Sequence, residues 1–218
     1  MEEKKYPEGW LVVDHIIPGV TVEMIDWWWV NMEKGYELWC PDEHKGFKWE
    51  VKPPLGGHIG AVQIATESID YGPVRDLRIE WVDPNLGTPD HKDFWTYDHL
   101  LTAGSTGSRP GIPPGVMLSH QYEAIPGGCK MRSCMHVPAG MPPGVGPNAP
   151  HQGPLPEHPS GKKPSGGGWA VHNVAEVSTF KAFLPALWGI WQAVPDPAIN
   201  RHCSMKIKKE GSRIIYVQ

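Results

Sequence analysis

Residues 169–194, WAVHNVAEVSTFKAFLPALWGIWQAV, decide how this chain folds. Val171, Val174, Ala175, Phe180, Phe183, Leu184, Leu187, Trp188, Ile190 and Trp191 cover much of a helical circumference, which predicts a long helix buried on more than one side. Pro185 removes a backbone donor and crowds the Lys181 carbonyl, so a kink is expected there. Pro195 and Pro197 end the helix. Upstream, residues 10–17 read as a strand closed by Pro18-Gly19, and Thr21 as the N-cap of a helix running through Trp29, with Glu23 in its first turn. A second short helix is expected over 36–39, and Asp42-Glu43 are placed as for another helix start. Alternating β-branched residues predict strands over 59–65 and 74–82; 95–102 and 116–124 are further candidates, and 129–137 completes a hairpin across Ile125-Pro126-Gly127-Gly128. Residues 205–217 return as a last strand. This order is an α+β solution: a curved antiparallel sheet around one long C-terminal helix, with a cavity between the layers.

The chain has 218 residues, enough for one full-sized domain spanning 1–218. Its formal charge of −4 excludes nucleic-acid binding driven by net charge, which needs a dense row of cations. There is no 18-residue apolar run to span a membrane, and the charged start, Met1-Glu2-Glu3-Lys4-Lys5, lacks the apolar stretch of a secretory signal. A cytoplasmic location is expected. Cys40, Cys129, Cys134 and Cys203 form no CxxC pair, so free thiols are expected. The 11 tryptophans imply an aromatic core or a pocket for a flat, partly polar ligand. Residues 138–168 are rich in Pro and Gly and poor in large apolar residues, which predicts a lid, a partner-contacting arm or a solvated loop.

His172 and Glu176 stand four apart on the predicted helix, so their side chains leave one face a turn apart. Imidazole and carboxylate both suit a divalent metal such as zinc, although the same spacing serves a solvent-facing pair. The solvent-facing pair is the commoner use of this spacing; the apolar surroundings raise the metal reading, because polar groups left uncompensated there carry a desolvation cost. His44 is a further candidate, Cys40 four residues before it an alternative ligand, and Glu67 a carboxylate in a strand-like run.

Gly19-Val20-Thr21-Val22-Glu23-Met24-Ile25-Asp26-Trp27-Trp28-Trp29 and Tyr36-Glu37-Leu38-Trp39-Cys40-Pro41-Asp42-Glu43-His44 resemble the opening of the diacetylphloroglucinol hydrolase and phloretin hydrolase family. His172-Asn173-Val174-Ala175-Glu176 and Phe183-Leu184-Pro185-Ala186-Leu187-Trp188 resemble its C-terminal helix. The resemblance implies a Bet v 1-like, helix-grip fold and a zinc ion held by two His and two Glu. It also implies hydrolysis of the carbon–carbon bond between an acyl group and a polyhydroxylated ring, with a small phenolic ketone as substrate. It places the zinc ligands on His44, Glu67, His172 and Glu176, and the family's tyrosine on Tyr36. The active-site histidine falls on His120, with His136 as competitor. Three departures stand out. The chain begins almost at its first strand, Cys40 replaces a frequent histidine, and Phe47 stands where a polar substrate contact is expected. Homodimerisation stays open.

Under this resemblance zinc supplies a nucleophilic water and polarises the ketone, Glu176 acts as ligand or moves off as base, and Tyr36 and His120 bond the ring hydroxyls and move the proton. Trp28, Trp39 and Trp188 are candidate walls. The alternatives are a hydrolase of other 1,3-diketones and a non-catalytic helix-grip carrier of phenolic or lipid ligands.

Overall fold

The computed structural model describes residues 10–86, 93–105, 115–136, 158 and 160–217. Strand β1 (Trp10–Pro18) turns at Gly19, φ 74°, into α1 (Val22–Trp29). Thr21 caps α1 as expected: its hydroxyl accepts the Met24 N–H at 3.3 Å while its own backbone is extended. A 3-10 turn (Met32–Lys34) and the single-turn α2 (Tyr36–Trp39) follow. Six more strands come next: β2 (His44–Val51), β3 (Val62–Glu67), β4 (Arg75–Trp81), β5 (His99–Ser105), β6 (Gly115–Ile125) and β7 (Gly128–His136). The helix expected at Asp42-Glu43 does not form. Residues 41–43 make a turn and β2 starts at His44, because the Glu43 carboxylate is drawn inward rather than toward helix N–H groups.

The seven strands form one antiparallel sheet in the order β1-β7-β6-β5-β4-β3-β2. Laid flat, its two edge strands would stand about 29 Å apart at ~4.8 Å per strand. Yet His15 on β1 bonds Asn173 at 2.8 Å while His44 on β2 lies 3.4 Å from His172, on the same turn of the long helix α3 (Gly168–Trp191). Both edges therefore curl around α3, which is the curved sheet the sequence predicts.

Helix α3 runs through Pro185 without ending there. Its buried residues, Trp169, His172, Asn173, Glu176, Val177, Phe180 and Leu184, recur at helical spacing along one stripe. Burial on more than one side is not observed: among the described residues Val171, Val174 and Ile190 are exposed. The tail does not join the sheet as a last strand. It forms its own hairpin, β8 (Ile207–Glu210) with β9 (Arg213–Tyr216), attached to β5 through the Leu100 N–H, which donates to Met205 at 3.0 Å.

Tryptophan fills the core. Trp27, Trp28, Trp29, Trp39 and Trp81 are buried, with Trp28 and Trp39 packed edge-on at 5.6 Å and Trp39 also edge-on to His44 at 5.2 Å; Trp188 is only partly buried. None of the four cysteines is in a disulfide. Among the described residues no helix is long and apolar enough to cross a membrane. The arm expected at 138–168 falls, for 138–157 and 159, outside the described residues. Its described end is tied to the domain by Lys162, whose ammonium meets Asp42 and the Tyr71 hydroxyl.

Candidate metal centre

His44 and Glu67 are direct cross-strand partners on β2 and β3, and a register irregularity follows His44. Opposed residues of an antiparallel pair point to the same face, here toward α3. The first helical turns of α3 bring His172 and Glu176 to meet them. His44 Nε2 lies 3.4 Å from His172 Nε2, 3.4 Å from Glu67 Oε2 and 3.7 Å from Glu176 Oε2, and His172 Nε2 lies 3.6 Å from Glu176 Oε2. Zinc bound at about 2.0–2.1 Å in a tetrahedron has ligand–ligand edges of about 3.3–3.4 Å. The spacing and the N₂O₂ donor chemistry therefore fit a small divalent cation. All four residues are buried.

The far side of each donor is held as well. His44 Nδ1 donates to the Tyr36 carbonyl at 2.9 Å, and His172 Nδ1 donates to Glu43 Oε2 at 2.6 Å. A ring proton fixed on Nδ1 leaves the Nε2 lone pair facing the cluster. Glu176 presents Oε2 inward while its Oε1 accepts the Asn173 amide at 2.8 Å, and Asn173 in turn meets His15. The Tyr36 hydroxyl donates to Glu67 Oε2, and its ring stacks on His44 with centroids 4.1 Å apart.

Burial lifts the Glu176 carboxyl to about 8 and also raises Glu67. Burial would lower His172, but Glu176, Glu43 and Glu67 outweigh it and raise the imidazole to about 9. His44, desolvated and facing His172, falls to about 3. Of the two facing imidazoles, His172, the ring with the carboxylate partners, is the one that favours a proton. Burial and then Glu67 push Tyr36 well above its ordinary range, so its hydroxyl stays a donor.

Cys40 Sγ lies within 4.8 Å of the His44 and His172 donor atoms, so a Cys-His-His grouping exists beside the two-glutamate one. Its thiol contacts Glu43 Oε2 at 4.0 Å, and burial followed by the neighbouring carboxylates lifts it to about 12. A thiolate there would add a further anion to a buried cluster that already holds the Glu43, Glu67 and Glu176 carboxyl groups. His120 is buried on β6, with Nδ1 at 2.8 Å from Ser133 Oγ and its ring stacked on Trp29. Burial and then the charge of His15 hold it near 3. His136, its competitor, stacks on Trp10 at the end of β7. Phe47 packs against the Tyr36 ring, 5.0 Å between centroids.

A family model described as the DAPG hydrolase PhiG domain matches residues 4–189. The chain belongs to that family. No curated protein sequence matches it. Among solved structures it is similar to a protein of Nitrosomonas europaea, at 15% identity over 61% of this chain and 78% of the other, TM-score 0.36. It is similar to a protein of Mesorhizobium loti, at 17% identity over 81% and 97%, TM-score 0.39. It is also similar to Ara h 8.0201, at 15% identity over 83% and 99%, TM-score 0.39. In this DAPG hydrolase family member, sequence reasoning missed Glu43, Asn173 and Asp70 as supports of the centre. Glu43 and Asn173 sit inside the quoted motifs, each beside a candidate ligand or within a turn of one, and that adjacency was the available signal.

Proposed function

We propose that the chain is a zinc-dependent hydrolase that cleaves the carbon–carbon bond between an acyl group and a phloroglucinol-type ring. The observation carrying this reading is the convergence of His172 Nε2, Glu67 Oε2 and Glu176 Oε2 on His44 Nε2 at 3.4–3.7 Å, with His172 and Glu176 3.6 Å apart, in a member of the DAPG hydrolase family. His44, Glu67, His172 and Glu176 would hold the ion. A bound zinc supplies Lewis acidity for the ketone oxygen and lowers the pKa of a water to about 7.

The protein's own groups handle the protons. Hydrolysis breaks the acyl–ring bond, adds hydroxide to the acyl carbon and a proton to the ring carbon. The phloroglucinol-type ring makes this accessible because it leaves as the enolate of a 1,3-dione. Glu176, raised by burial and with Oε1 fixed by Asn173, would leave the ion to take the proton from water and pass it to the ring carbon, which restores the carboxylate. Tyr36, held protonated, donates first to Glu67 and then to a ring oxygen. His120, kept neutral by burial, serves as a hydrogen-bonding group for the ring.

A panel of acylphloroglucinols, phloretin and cyclic 1,3-diones, with products identified by mass and a chelator control, tests the reading. Release of the free ring and the carboxylic acid, abolished by chelator, supports it. Turnover of cyclic diones alone points to a 1,3-diketone hydrolase, and tight binding without turnover points to a carrier.

A further inference from the structure

We propose that Glu43 is a positioning residue of this centre: its carboxylate, clamped between the Tyr71 backbone N–H and His172 Nδ1, keeps the His172 Nε2 lone pair aimed at the ion. The inference rests on the zinc reading above and adds a residue that touches neither ion nor substrate.

Both Glu43 oxygens are committed in a fully buried place. Oε1 accepts the Tyr71 N–H at 2.5 Å and Oε2 accepts His172 Nδ1 at 2.6 Å, with Cys40 Sγ a weaker neighbour at 4.0 Å. The Tyr71 donor stands in a costly conformation. Asp70 and Tyr71 are consecutive non-glycine residues in the left-handed region, φ 52° and 55°. Such a turn persists only when its surroundings over-determine it, and here Asp70 supplies that. Its carboxylate accepts the Ser165, Gly166 and Gly168 N–H groups at 2.9–3.1 Å, at the start of α3. The contacts therefore close a ring: His172 to Glu43, to Tyr71, to Asp70, to the first turn of α3, and along α3 back to His172. A helix end and a ligand tautomer are fixed by the same two-residue turn.

A carboxylate can accept from two N–H donors at once; an amide has one acceptor and one donor. Glu43→Gln therefore keeps the shape but must turn its NH₂ toward one of the two donors. If the amide oxygen stays on Tyr71, the NH₂ faces His172 Nδ1 and favours the proton on Nε2, where it competes with the ion. Loss of such an outer partner weakens metal sites by about 10–100-fold.

The experiment measures zinc affinity by chelator competition, and the melting temperature of the metal-free full chain, for wild type, Glu43→Gln and Glu43→Asp. The expected result is a 10–100-fold weaker zinc affinity in Glu43→Gln, a smaller loss in Glu43→Asp, and a metal-free melting temperature within a few degrees of wild type. Unchanged zinc affinity in either folded variant overturns the positioning role and leaves the zinc reading standing. A wild type that binds no zinc overturns both. Should Glu43→Gln fail to fold, Glu43→Asp decides by the same comparison.

Discussion

His44 Nε2 and His172 Nε2 face each other at 3.4 Å across 128 residues of chain, one from the second strand and one from the last long helix. Two imidazole lone pairs at that distance repel unless a cation sits between or beside them. Each ring has its other nitrogen engaged, by the Tyr36 carbonyl and by Glu43. The pair is therefore organised for a shared positive charge, and the following outcomes are expected from that arrangement.

Glu176→Gln keeps one oxygen and removes the charge that helps neutralise a buried dication. Zinc affinity should fall by about 10-fold or more. His172→Ala should do at least as much, while α3 survives because Ala favours helix. Bound metal and melting temperature of both variants check this. Normal metal content in His172→Ala would remove the helix pair from the site.

Tyr36→Phe preserves the ring stack on His44 and removes the donor to Glu67. With zinc content close to wild type, kcat should fall by about 10²–10⁴-fold, the range of a lost general acid–base group. A loss of zinc with unchanged turnover per bound ion would assign Tyr36 to cage support alone.

Metal uptake should release protons. Burial lifts Glu176 to about 8, and the carboxylates around His172 lift it to about 9, so near pH 7 the metal-free pair retains protons that the ion displaces. Titrating zinc into weakly buffered metal-free protein should acidify the solution, less at pH 9 than at pH 7. Equal release at both pH values would contradict these shifts.

His120 is held near 3 by burial, with His15 adding to the effect. A histidine depressed on folding contributes stability that is complete above its unfolded value, about 6.5, and is lost as pH falls toward its folded value. His120→Asn should lower stability overall yet flatten its slope between pH 6.5 and pH 3. Urea melts across that range measure the slope; an unchanged slope would remove His120 from the acid response.

Asp70 accepts three N–H groups at the start of α3, where Gly167 offers no side-chain cap. Asp70→Ala should cost about 1–2 kcal/mol, the upper range for a lost cap. Asp70→Asn should cost less, since Asn tolerates the left-handed backbone and keeps one acceptor. Denaturant unfolding ranks the two. Equal stability of all three proteins would mean that solvent caps the helix.

Much of the local structure was legible in the sequence because its causes are local. The Thr21 hydroxyl, the alternation leading into the Pro126-Gly127 turn and the four-residue spacing of His172 and Glu176 act within a few residues. Where a side chain had two uses, local rules chose the wrong one. Asp42-Glu43 carry the composition of a helix start, yet Glu43 turns inward to His172 and the chain enters β2 instead. The apolar circumference of α3 likewise overstated its burial, because the curled sheet grips one stripe.

The sequence by itself determined the capped first helix, the 116–137 hairpin, the long gripping helix and the identity of the candidate donors, since propensity, capping and periodicity are properties of neighbouring residues. Only the tertiary structure decided that His44 and Glu67 fall opposite each other, that both sheet edges reach one turn of α3, and that Glu43, Tyr71 and Asp70 form the brace behind His172. Strand register and the closing of the sheet are set by packing among residues distant in the chain, and so are the contacts of Glu43 with His172 and with Tyr71. No short window of sequence contains both halves of such a contact.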